Sequence, residues 1–159
     1  ELGRVAASST HRLGEIVAGA REASISTHGG SLALAAAAAT AAAVSAAIDG
    51  AGPDDIIELA ERAAAQAERE RSGSMDSVFA RAMSTIHADL RQSTRLHAAD
   101  VAAKYFPDRP LTIVPLAIAL AMVMQSAEAA ILLASNVGAT ATQWRLSPAR
   151  SSGRDTRTR

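Results

Sequence analysis

The sequence predicts an all-α protein, a multi-helix orthogonal bundle rich in alanine. Hydrophobic residues make up 48% of the 159 residues but aromatic residues only 3%, so most of the apolar content is alanine and aliphatic side chains. Alanine has the highest helix propensity, and small side chains fill a core only where helices approach closely. The apolar residues also recur at helical spacing, and glycine, proline and serine separate five or six such segments.

The first helical segment is expected at residues 10–24, where Leu13, Ile16, Val17 and Ala20 share one face. An uncharged, alanine-rich run follows from Leu32 to Ile48; we predict that Ser31 caps it and that Asp49-Gly50 ends it. Its length approaches that of a membrane span, but its alanine content favours a buried central helix. We therefore expect no membrane partner.

Two further helices are predicted before residue 93. Pro53-Asp54-Asp55 favours the start of a helix. The apolar stripe of this helix is predicted to be Ile57, Ala60, Ala64 and Ala67, and the charged cluster 68–71 is interpreted as its solvated end. The break Ser72-Gly73-Ser74 precedes an amphipathic helix marked by Val78 or Phe79 and then by Met83, Ile86 and Leu90.

The C-terminal part contains two apolar helical segments. Pro107 and Pro110 bracket a predicted loop, after which Thr112 is expected to cap a helix with Pro115 in its first turn. Residues 116–124 are apolar on all sides and are predicted to be buried. The helix is expected to resume over residues 127–134, after Gln125-Ser126.

Charge divides the chain into two parts. Residues 1–138, the predicted helical domain, carry 11 basic and 15 acidic residues, whereas residues 139–159 carry five arginines and one aspartate. The composition of this basic tail predicts disorder. It lacks lysine and interleaved aromatic residues, so we expect no nucleic-acid partner. The chain has no cysteine and begins without a signal peptide, which favours a cytoplasmic location.

Few sequence motifs indicate a catalytic or binding site. No glycine-rich phosphate loop, paired-histidine metal motif or zinc cluster is present. His11, His28, His87 and His97 are far apart in sequence, and His87 and His97 are interpreted as surface residues. Asp54-Asp55 is explained by its place at a helix start. From these residues alone, the function stays open.

Three segments, taken in order, resemble the ADP-ribosylglycohydrolase family. The first is Gly3-Arg4-Val5-Ala6, and the second is Ser26-Thr27-His28-Gly29-Gly30-Ser31 before the alanine-rich helix. The third joins residues 114–120 to residues 127–138, which end in Ser135-Asn136-Val137-Gly138. The resemblance covers residues 1–138, the middle to late part of a family member. It implies an incomplete ADP-ribosylglycohydrolase fold and a hydrolase that removes ADP-ribose from modified substrates.

The resemblance also implies a binding site. His28 would contact ADP-ribose, with Thr27, Gly29 and Ser31 shaping the loop around it, and Asn136 and Gly138 would lead into the metal site. Relatives hold two Mg²⁺ ions with an Asp-Asp-Thr-like motif and with Gly-Asp-x-Asp-Thr. Neither motif occurs in this sequence, so we expect no bound metal, no catalytic residue and no activity in this chain.

Ala139-Thr140 stands where the second motif would begin. With one G restored after Gly138, codons exist that read onward as Gly-Gly-Asp-Gly-Asp-Thr-Val-Ala. We therefore hypothesise that residues 139–159 are a frameshift product. The expected partner is ADP-ribose or an ADP-ribosylated protein. The alternative function is a non-catalytic helical module that self-associates through exposed apolar helices.

Overall fold

A computed structural model describes residues 2–93, 98–105, 110–124, 126, 128–133 and 135. Helices and their connections account for these residues, and no strand occurs among them, which confirms the all-α bundle. The helices are α1 (Leu2–Ser24), α2 (Ser31–Ile48), α3 (Pro53–Ser72), α4 (Val78–Gln92), α5 (Ala98–Lys104) and α6 (Pro110–Val123). The predicted tail, residues 139–159, lies outside the described residues.

Helix α1 begins at Leu2, eight residues before the predicted start at residue 10. The apolar spacing starts only at Leu13, but the preceding residues contain no proline or glycine after Gly3 that would end a helix. The predicted face is confirmed. Leu13 and Val17 are buried, and Ile16 and Ala20 pack against the same cluster of α2 and α3 residues.

Helix α2 is the central helix and packs against α1, α3 and α6. The prediction that Ser31 caps it was wrong: Ser31 is the first helical residue, and Gly30 takes the N-cap position without a side-chain hydrogen bond. The predicted end is confirmed by Asp49 at the C-cap and by Gly50 at φ +77°. By length and composition α2 could cross a membrane. Its extensive packing supports the interpretation as a core helix.

Helix α3 has the predicted start and stripe. Pro53 opens it, Asp54 and Asp55 lie in its first turn, and Gly73 ends it at φ +71°. The predicted apolar stripe is buried. The interpretation of residues 68–71 as a solvated end was wrong for Glu68, which is only 5% exposed. The cause is tertiary: the α3–α4 connection folds back over this carboxylate.

Helix α4 buries Phe79, Met83, Ile86 and Leu90, and Val78 stays 46% exposed, so Phe79 is the core residue of the predicted pair. Its N-cap is Ser77, whose hydroxyl accepts a hydrogen bond from the Ala80 amide at 3.0 Å. The same hydroxyl donates to Glu68. Helix α4 thus starts on a capping residue that is anchored to α3.

The C-terminal helices differ most from expectation. The short helix α5 was not predicted, and α6 begins at Pro110 with Pro115 inside it, so Thr112 is not its cap. The prediction that residues 116–124 are buried holds for Leu116 and Leu120, among others, but Ala117 and Ala121 are exposed. The reason is that α6 packs mainly against α4 and α2 and leaves its other side uncovered. Residues 128–133 are again helical.

Candidate ADP-ribose-binding loop

The candidate site is the connection between α1 and α2, residues 25–30. The end of α1 shapes it, because the Ser24 carbonyl accepts three hydrogen bonds. They come from the Thr27 amide at 3.1 Å, the His28 amide at 2.7 Å and the Thr27 hydroxyl at 3.2 Å. These bonds satisfy a carbonyl that the end of the helix leaves without an intrahelical partner, and they fix the backbone on which His28 stands.

His28 is exposed, and its imidazole is held by its neighbour. Its Nδ1 lies 3.0 Å from the Thr27 hydroxyl oxygen. That hydroxyl already donates its hydrogen to Ser24, so it can only accept from the ring. We therefore assign the proton of the neutral imidazole to Nδ1, and Nε2 is left as a hydrogen-bond acceptor facing solvent.

Gly29 and Gly30 join His28 to α2. Gly30 has an ordinary backbone conformation, φ −72° and ψ 147°, and a Cβ added there would meet nothing within 4 Å. The fold itself therefore does not require glycine at residue 30. Glycine is common at helix N-caps, and it also allows a ligand to approach the backbone closely.

The first turn of α2 follows Gly30 directly. Amide groups at a helix N-terminus lack intrahelical partners, and Gly30 offers no side chain to cap them. The helix dipole adds partial positive charge at the same point. Uncapped amides at the start of an 18-residue helix can donate hydrogen bonds to an anionic group.

The structure thus brings four of the six predicted binding residues into one loop and its adjoining turn: Thr27, His28, Gly29 and Ser31. The other two, Asn136 and Gly138, lie outside the described residues.

One residue of the site was not predicted. Arg71, at the C-terminal end of α3, donates a hydrogen bond from Nε to the Gly29 carbonyl at 3.0 Å. No sequence signal links residues 42 positions apart, and the charged cluster 68–71 is typical of a solvated helix end. A small depression beside this contact is lined by Val17, Arg21, Leu34, Ala67, Glu70 and Arg71.

A family model described as ADP-ribosylglycohydrolase matches residues 2–142, which include the whole loop. The chain belongs to the ADP-ribosylglycohydrolase family. Comparisons with curated proteins and with solved structures found no significant match. Membership makes this a chain of a glycohydrolase family whose substrates are ADP-ribosylated. The match ends four residues after Gly138, so residues 143–159 lie outside it.

ADP-ribosylglycohydrolases are metal-dependent hydrolases, so we asked whether the described residues fit a metal. Among them, no three histidine or carboxylate side chains lie close enough together to hold an ion. Several carboxylates are engaged elsewhere, in pairs that hold helices together: Asp49 with Arg12, Asp54 with Arg91, and Asp89 with Lys104. The described part of this ADP-ribosylglycohydrolase chain therefore does not fit a metal pair.

An open apolar groove also lies between helices of the bundle. It is lined by α1, α2 and α6: Ala20, Ala23, Ser24, Ala36, Ala37, Thr40, Ala41, Val44 and Val114. Only Ser24 and Thr40 contribute hydroxyl groups, and no charged side chain lines it. The groove therefore offers apolar contact and little to orient a polar ligand.

Proposed function

We propose that the loop Thr27–Gly30 and the first turn of α2 bind the ADP-ribose moiety of an ADP-ribosylated protein. The observation that carries the proposal is the exposed His28 side chain, whose Nδ1 lies 3.0 Å from the Thr27 hydroxyl oxygen, two residues before Gly30, the N-cap of α2. We place this activity in the cytoplasm.

The chemistry of ADP-ribose matches these groups. Its ribose hydroxyls and adenine amino group are hydrogen-bond donors that an imidazole nitrogen can accept. Its diphosphate is an anion of the kind that helix N-termini bind. The open position at Gly30 would let the diphosphate approach the backbone amides without meeting a side chain.

We further propose that residues 1–159 bind the ADP-ribose moiety but do not hydrolyse its glycosidic bond. Cleavage of the glycosidic bond adds water at the anomeric carbon and transfers a proton to the leaving group. In relatives, by the resemblance, two Mg²⁺ ions orient that water and stabilise the developing charge. The sequence contains neither of the Asp-Thr motifs that would hold them. The frameshift hypothesis accounts for the second motif, and the gene sequence across residue 138 tests it.

Calorimetric titration with ADP-ribose tests the binding proposal. We expect His28→Ala and Gly30→Ala to weaken binding at least about tenfold, a loss of about 1.4 kcal/mol. Gly19→Ala in the exposed part of α1 is the matched control for Gly30→Ala and should bind like the parent chain. A parent chain that takes up no ADP-ribose, or variants that bind as well as it does, would refute the proposal.

Turnover is measured separately, as free ADP-ribose released from an ADP-ribosylated protein in the presence of Mg²⁺. We expect no release above the rate without protein. Release by the purified parent chain would refute the claim of inactivity and leave the binding proposal intact.

The alternative, a helical module that self-associates, stays a prediction. It depends on apolar side chains that the described structure leaves exposed, among them Val44 at 53% and Ile48 at 80% on α2. Light scattering across a range of protein concentrations tests it. A mass that stays monomeric at every concentration would contradict this alternative.

A further inference from the structure

We propose that Arg71 is a positioning residue of the ADP-ribose site, because it fixes the loop that carries His28. The inference rests on the function proposed above. It adds a residue that lies on a different helix, 43 positions from His28 in the chain, and outside the three short segments on which the resemblance was first based.

The contact is specific in its geometry. Arg71 donates from Nε to the Gly29 carbonyl at 3.0 Å, at the peptide that follows His28. Nε is the donor nearest the aliphatic part of the arginine side chain, so this bond brings the guanidinium group against the Gly29 peptide. A carbonyl at the surface could instead bond to water. The guanidinium therefore restricts where the loop lies and is not needed to satisfy a buried group.

The loop has few other anchors. Among the described residues, its other backbone hydrogen bonds run to the end of α1, at Arg21 and Ser24, and to the first turn of α2, where the Leu34 amide donates to the Gly30 carbonyl at 3.0 Å. Those bonds join the loop to the two helices that it connects. The bond from Arg71 is the long-range one among them and ties the middle of the loop to α3.

The backbone that carries Arg71 belongs to the last turns of α3. The buried residues Ala67 and Glu68 fix this part of the helix in the bundle, and Gly73 ends the helix two residues after Arg71. Arg21, Glu70 and Arg71 line the depression next to the loop together with apolar side chains. Because the core fixes the backbone of α3 near Arg71, the hydrogen bond from the Arg71 guanidinium restricts the motion of the loop.

The neighbouring Arg69 supplies a matched control. It is exposed, it lies in the same last turn of α3, and its removal changes the net charge by the same amount. Within the described part of the chain, the Arg69 side chain makes no hydrogen bond or ion pair. The comparison of Arg71→Ala with Arg69→Ala therefore separates the bond to Gly29 from the general effect of charge.

The test is the dissociation constant for ADP-ribose of the parent chain, Arg71→Ala, Arg69→Ala and Arg71→Lys, each checked by its melting temperature. We expect Arg71→Ala to weaken binding about tenfold with little change in melting temperature, and Arg69→Ala to stay within about twofold. Arg71→Lys keeps a long cationic donor and should lie between the parent and Arg71→Ala. A merely stabilising role would lower the melting temperature and leave the affinity unchanged. Equal affinities of Arg71→Ala and the parent, or equal losses in Arg71→Ala and Arg69→Ala, would overturn the inference.

A ligand-free measurement keeps this inference distinct from the proposed function. We expect the amide hydrogens of His28 and Gly29 to exchange faster with solvent in Arg71→Ala than in Arg69→Ala. Equal exchange in the two variants would overturn the positioning role whether or not ADP-ribose binds. Absence of binding by the parent chain, with the exchange difference present, would refute the binding function alone.

Discussion

The carboxylate of Glu68 in α3 accepts a hydrogen bond from the backbone amide of Phe79 in α4, with 3.1 Å between Oε2 and N. The Ser77 hydroxyl donates to the same oxygen. Glu68 is 5% exposed, and its negative charge lies at the positive end of the α4 dipole. One side chain of α3 therefore helps to satisfy the first amides of α4 and fixes the turn between the two helices.

Glu68→Ala is expected to destabilise the protein by about 2–3 kcal/mol. The change removes hydrogen bonds to a charged acceptor and leaves the Ser77 hydroxyl and the Phe79 amide without it. Chemical unfolding measures the effect. The control is Glu70→Ala, an exposed residue one half-turn away whose loss should cost less than about 0.5 kcal/mol. Equal stabilities of the two variants would contradict the role of Glu68.

Phe79→Ala is expected to cost about 3–5 kcal/mol, because Phe79 is 0% exposed and its removal leaves a cavity among α2, α3 and α4 residues. Val78→Ala changes the adjacent residue, which is 46% exposed, and should cost less than about 1 kcal/mol. Thermal or urea unfolding distinguishes them. If Val78 proved the costlier truncation, the helical phase of α4 described above would be wrong.

Two glycine-to-alanine changes should act in opposite directions. Gly73 ends α3 at φ +71°, where a side chain is strained, so Gly73→Ala is expected to destabilise by about 1 kcal/mol. Gly19 lies inside α1 at an exposed position with open space around it, so Gly19→Ala should stabilise by up to about 1 kcal/mol. Shifts of a few degrees in melting temperature would report both effects. Shifts of the same sign would contradict the assigned backbone conformations.

His87 should make the protein less stable in mild acid. Burial, and then the charge of Arg91, lower the pKa of His87, while Asp54 acts in the opposite direction. As the pH falls through about 6.5, the unfolded chain binds a proton at this residue before the folded protein does, so the free energy of unfolding decreases. His87→Gln removes the titrating imidazole. The variant should lose less stability than the parent between about pH 7.5 and about pH 5.5 in urea titrations. An identical loss in both proteins would show that His87 titrates alike when folded and unfolded.

Local sequence signals predicted a helix boundary correctly where nearby residues determine that boundary. Pro53 and Gly73 bound α3 as predicted, and the alanine-rich run forms the central helix because nothing in it interrupts helical hydrogen bonding. The same rules misplaced the start of α6, where Thr112 resembles a cap but the helix already begins at Pro110. Pro110 fits the first position of a helix, but Pro115 then lies inside α6, where the sequence rules disfavour proline, so those rules favoured the later start.

Contacts between distant segments could not be predicted. Glu68 belongs to a charged cluster that by composition indicates a solvated end, and only the return of the chain at Ser77 buries it. In the candidate site, Thr27 and His28 were predicted from a resemblance to a family, and their role in binding stays a prediction. Arg71 was missed, because its bond to Gly29 depends on how α3 packs and not on any neighbouring residue.

The most direct test of ADP-ribose binding by this loop is the titration of isotope-labelled protein with ADP-ribose, followed by the amide resonances of the backbone. We predict saturable shifts concentrated at residues 27–31, with smaller shifts at Arg71. Resonances that stay unchanged at saturating ADP-ribose concentrations, or shifts confined to the groove around Val44, would contradict the account.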